Sequence, residues 1–76
     1  MQQYVRFSMN SGDSVAIGLD TRCKNWAETA QAMIHALNTQ VGDIDQSAHL
    51  ATNTENYTEI PFDSGVEWLK SCGVRF

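Results

Sequence analysis

Apolar and polar residues alternate strictly over residues 3–9, with Val5, Phe7 and Met9 on one side and Tyr4, Arg6 and Ser8 on the other. The alternation returns over 14–20, where Val15, Ile17 and Leu19 oppose Ala16, Gly18 and Asp20. A period of two marks strands that bury one face. Asn10-Ser11-Gly12-Asp13 separates the two runs. A three-residue loop over 10–12 pairs Phe7 with Val15 and Val5 with Ile17, so the apolar faces coincide. A two-residue turn at Ser11-Gly12 would pair Phe7 with Ala16 and split them. Burial sets register, so the longer loop is predicted, with Gly12 in the left-handed conformation that its missing Cβ permits.

The period then changes. Trp26, Ala30, Met33, Leu37 and Val41 recur at helical spacing, and Ile34 widens the stripe. Asn25 and Glu28 fit a capping box and Gly42 a left-handed stop, so the spacing predicts a helix over 25–40 packed on the hairpin's apolar face. Phe7, Ile17, Met33 and Leu37 are the expected centre of the core. Over 43–56 the pattern is weak: a turn at 43–47, a short strand at 47–52 and a polar turn at 53–56 compete with one long loop. Tyr57 to Ile60 reads as a returning strand that Pro61 ends. Ser64 and Glu67 fit a second capping box, with Val66, Leu69 and Cys72 on one side of a short helix and Trp68 adjoining. Gly73 ends that helix, leaving Val74-Arg75-Phe76 as an extended tail able to add an edge strand. The expected class is α+β: one domain over residues 1–76, an antiparallel sheet of the hairpin and one or two more strands, one long and one short helix, in the order ββαββα.

Composition agrees with one small core. The chain has 76 residues and is 42% hydrophobic, above the range of disordered chains. A domain this short buries only about 60% of its unfolded surface, which leaves little room for a substrate cavity. Two cysteines, Cys23 and Cys72, are fewer than a disulfide-stapled secreted domain of this size carries. No basic start leads into an apolar run, and no segment is apolar for long enough to cross a bilayer. Asn56-Tyr57-Thr58 matches a glycosylation pattern by chance in that setting. The chain is expected to be cytoplasmic, with both thiols reduced, Cys72 in the core and Cys23 in a loop.

Charge is where the sequence is least even. The net charge is −4, yet residues 25–69 hold seven carboxylates and no lysine or arginine. Six of these, Asp43, Asp45, Glu55, Glu59, Asp63 and Glu67, are the candidate partner-binding residues. They are expected to meet a protein partner with a basic surface such as a nucleic-acid-binding groove. The five scattered basic residues make a poor footprint for direct nucleic-acid binding.

Other chemistry is sparse. Cys23, His35, His49 and Cys72 lack the close ligand pairs of a structural zinc site. Asp43 and Asp45 begin like a calcium loop, but Ala48 stands where the turn needs glycine and Thr54 where a bidentate glutamate belongs. No glycine-rich phosphate loop and no local nucleophile–base pair occur. The prediction is a binding protein without catalytic residues, metal or cofactor. In size, acidity and α+β layout it resembles the small inhibitors that phages and mobile elements encode, anti-CRISPR proteins among them. That resemblance rests on no motif and assigns no residue. Two alternatives stand beside it. One is an interaction module that assembles through a sheet edge or the outer face around Tyr4 and Arg6, with a homodimer as one form. The other is a small thiol-dependent enzyme or factor using Cys23, which Arg22 and Lys24 flank.

Overall fold

The hairpin forms as its alternation predicts. In the computed structural model, which describes residues 2–75, β1 (Gln3–Met9) and β2 (Ser14–Leu19) are antiparallel, with Phe7 opposite Val15 and Val5 opposite Ile17. The Met9 amide donates to Asp13 O at 2.7 Å, closing the three-residue loop, and Gly12 takes φ +95°. α1 (Trp26–Gln40) follows, then β3 (Ile44–Ala51), β4 (Thr58–Ile60) and α2 (Phe62–Ser71). The element order is ββαββα.

The sheet order is β3-β1-β2-β4. β1 is antiparallel to β2 and to β3, whereas β4 is parallel to β2. The sheet is therefore mixed, not antiparallel throughout. Tyr57 to Ile60 does not return beside the strand before it; β4 crosses to the far edge. Both helices pack on the face that carries Val5, Phe7 and Ile17, α1 over β1 and β3 and α2 over β2. One helix layer on one sheet accounts for a smallest dimension of 18 Å. The chain passes from β2 to β3 through α1 on the helix face and from β3 to β4 on the other. Reversing both face and direction keeps the hand, so the two crossovers agree, as strand twist requires.

Phe7, Ile17, Met33 and Leu37 are buried together, joined by Val5, Ala36 and Leu69. Trp68 stacks on Phe7 with ring centroids 5.7 Å apart. Several local expectations give way to this packing. β3 begins at Ile44, not 47, because Ile44 is half-buried against the core opposite Met9. Neither capping box forms. Asn25 makes no side-chain cap bond, and α2 starts at Phe62 directly after Pro61, which puts Ser64 inside the helix. Gly42 is not left-handed; Val41 is already extended and leads straight toward β3.

The end of α2 explains why Cys72 is exposed and not in the core. Gly73, at φ +84°, reverses the chain, with the Val74 amide donating to Leu69 O at 3.0 Å and the Gly73 amide to Lys70 O at 3.0 Å. This Schellman turn folds Val74 back into the cluster beside Leu69 and turns the Cys72 side chain out. The tail is not a strand. Gln40 brackets Arg75, accepting from its amide at 2.9 Å and donating to its carbonyl at 3.0 Å; Phe76 lies outside the described residues.

Candidate functional site

The six candidate carboxylates do not share one face. Asp43 and Asp45 lie at the start of β3, on one edge of the sheet. There the Asn10 amide donates to Asp43 O at 2.7 Å, bringing the hairpin loop and Asp13 to the same end. Glu59 lies on β4, at the opposite edge, and Asp63 and Glu67 follow on α2. Glu55 sits between the two groups, on the connection from β3 to β4. All six are exposed. Asp63 and Glu67 lie one helical turn apart on α2, where like charges repel, while Glu59 pairs with Ala16 and so belongs to the sheet face turned away from that helix.

Their charge has little opposition. Among the described residues the one ion pair is Arg22 to Asp20, Nε to Oδ1 at 3.0 Å. Arg22 adds an Nη2 bond to Oδ2 at 3.3 Å and its own amide to Oδ1 at 3.1 Å. The side-chain bonds, then the amide, hold the Asp20 carboxyl below its ordinary 3.8. That contribution to folding is present above the ordinary value and is lost as pH falls through the lowered one. The guanidinium that sequence set beside Cys23 is thus turned to Asp20. Cys23 and Cys72 are both free and exposed, and among the described residues no three of His, Cys, Asp or Glu converge.

The face away from the helices carries the densest polar contacts. Register sets His49, Arg6, Ala16 and Glu59 in one row across the four strands. Arg6 Nη1 donates to Asn53 Oδ1 at 2.8 Å, and its guanidinium carbon lies 4.4 Å from the centre of the Tyr57 ring. Residues 52–57 therefore cross this face as a strap, and Ala16, which points toward it, is 0% exposed. Tyr4 is half-buried in the neighbouring row, between Ala51 and Gly18. Arg6 is engaged within the fold and not presented outward with Tyr4. Nothing in the sequence pattern signalled His49, Asn53 or Tyr57 as its partners: His49 and Asn53 come from the segment with the weakest periodicity, and Tyr57 reads as the start of a returning strand.

The β3 edge is blunted. Its pairing with β1 slips twice, between Arg6 and Ser8 and between Ser8 and Met9, as at β-bulges. Asn38 of α1 clasps the strand at Ala48, accepting from its amide at 2.7 Å and donating to its carbonyl at 3.3 Å. Leu50 is the one exposed large hydrophobic residue there, at 40%. Two clefts flank the β4–α2 edge. One is lined by Gly18, Asp20, Arg22, Glu59 and Phe62, the other by Trp26, Thr29, Pro61, Phe62 and Asp63. A more apolar groove between α1 and α2 has Met33, Phe62, Val66 and Val74 in its lining, with Lys70 and Arg75 at one end. Among the described residues no helix is long and apolar enough to cross a membrane. In comparisons with known proteins, no family model, no curated protein and no solved structure matches the chain.

Proposed function

We propose that this chain is a non-enzymatic binding protein whose β4–α2 edge docks on a basic surface of a protein partner. Glu59, Asp63 and Glu67 make the contact, and the partner surface is of the kind that binds nucleic acid. What supports the reading is that these three exposed carboxylates fall on the adjoining elements β4 and α2, and none has an ion-pair partner among the described residues. A helix that places Asp63 and Glu67 at i and i+4 bears a repulsion that a cationic surface would relieve. Occlusion of such a surface is the mode of action of small acidic inhibitors encoded by phages, which this chain resembles in style. Its setting would be the cytoplasm.

The test uses a partner recovered by affinity capture and titrated at several salt concentrations. Glu59→Gln/Asp63→Asn/Glu67→Gln should weaken binding about tenfold or more at low salt and flatten the salt dependence of association. Asp43→Asn/Asp45→Asn, at the opposite edge, should bind as the parent does. Equal affinity of parent and triple variant would sink the proposal. Loss confined to the Asp43/Asp45 variant would move the contact to the hairpin end.

A further inference from the structure

Arg6 and His49 face each other across β1 and β3. Arg6 Nε lies 3.3 Å and Nη2 3.2 Å from His49 Nε2. A guanidinium carries donors only, so Nε2 must accept with its lone pair. The ring proton then belongs on Nδ1, and Ser47 O accepts it at 3.2 Å. One neutral tautomer satisfies both nitrogens.

The same guanidinium holds the strap. Besides Asn53 Oδ1 at 2.8 Å it reaches Asn53 O at 3.5 Å, while Asn53 Oδ1 also accepts the Glu55 amide at 3.3 Å. The strap closes on a turn in which the Tyr57 amide donates to Thr54 O at 2.8 Å, with Asn56 in the left-handed region at φ 63°. Tyr57 rests its ring on the guanidinium. Arg6 is thus one hub with two dependants, the imidazole on one side and residues 52–57 on the other.

We propose that His49 is an acid-released latch for the 52–57 strap. A proton taken from solvent at Nε2 removes the lone pair that Arg6 donates to and sets an N–H and a second positive charge against the guanidinium. Arg6 swings away, and its bonds to Asn53 and its contact with Tyr57 go with it. Imidazoles take up this proton in the range of about pH 5 to 8. The elements packed around His49 carry these charged and titratable groups. β1 offers Arg6; β2 offers only the neutral Ala16 in this row; the strap brings Glu55 and Tyr57, β4 brings Glu59 beyond Ala16, and β3 itself has Asp45. Among the described residues none of these carboxylates is within ion-pair distance of His49. Release would uncover the sheet around Ala16 and loosen β4, whose three residues begin directly after the strap.

Amide hydrogen exchange, expressed as protection factors to remove the intrinsic pH effect, tests the latch at about pH 7.5 and about pH 5. The Tyr57 amide should lose about tenfold or more of its protection at the lower pH, while core amides of β1 and α1 keep theirs. His49→Gln retains an acceptor oxygen for Arg6 and takes up no proton, so its strap should stay protected at both pH values. His49→Lys carries a permanent cation and should be open at both. His35→Gln changes the other histidine, exposed on α1, and should leave the response of the parent intact. Unchanged Tyr57 protection in the parent overturns the proposal, as does a His49→Gln strap that opens with acid like the parent. If His49→Lys fails to fold, the parent and His49→Gln decide alone.

Discussion

Gly65 lies in α2 with its backbone against Ile17 of β2, buried at the point where the helix meets the sheet. A Cβ there would stand 2.7 Å from Ile17 Cγ2 and 2.9 Å from Cδ1. Glycine inside a helix costs about 1 kcal/mol relative to alanine, so Gly65→Ala would stabilise α2 were the site open. The contact reverses the sign, because overpacking of this kind costs about 1–3 kcal/mol. Gly65→Ala should therefore lower stability in urea unfolding. In an Ile17→Ala background, which removes all three crowding carbons, the same change should be neutral or favourable. Stabilisation in the parent background would show that α2 stands further from the sheet than the structure has it. No local signal in the sequence marks this glycine. Its requirement comes from a residue 48 positions away, whereas Gly12 and Gly73 are legible from their neighbours because turns are local.

Between elements, side-chain amides do work that the sequence pattern does not foretell. Asn38 is an indifferent helix former on the outer side of the α1 stripe, yet it supplies both a donor and an acceptor to the backbone of Ala48. Ala48 is only 5% exposed and adjoins the irregular pairing of β3, where the ladder to β1 supplies it no partner. Asn38→Ala should cost about 1–3 kcal/mol, the penalty of a buried group left unpaired. Asn38→Asp keeps the acceptor for the 2.7 Å bond and should recover part of that loss. If Asn38→Ala melts with the parent, the clasp contributes nothing and the bulges hold β3 unaided. The hairpin and α1 were legible because periods of two and 3.6 persist over whole elements. β3 was not, since polar Gln46 interrupts the series Ile44, Ala48 and Leu50, and lies opposite outward-facing Ser8 between two slips in the pairing. The capping boxes failed for a related reason. Packing Phe62 against the core moves the start of α2 back to Phe62, directly after Pro61, and a tertiary contact outweighs a cap.

At the scale of the molecule, the imbalance of charge was readable as a run without lysine or arginine, but its division between two edges was not. That division follows from β4 crossing the sheet to pair with β2, a choice no local pattern encodes. Its consequence for stability can be measured without a partner. The net charge is −4, and the one ion pair among the described residues joins Asp20 to an Arg22 side chain that is 91% exposed. An exposed pair contributes little, so screening by salt has more repulsion than attraction to remove. At low ionic strength the Debye length exceeds the spacing of neighbouring surface carboxylates, and at about 0.5 M it falls below about 5 Å. Thermal unfolding at neutral pH should therefore shift upward by a degree or two as sodium chloride rises from about 0.02 to about 0.5 M. Glu59→Gln/Asp63→Asn/Glu67→Gln relieves the helical like-charge pair, worth about 0.2–0.5 kcal/mol. It should melt higher than the parent at low salt and respond less to added salt. Melting that falls as salt rises would mean that attractive pairs dominate the surface, and the carboxylates of β4 and α2 would then be answered within the fold rather than held for a partner.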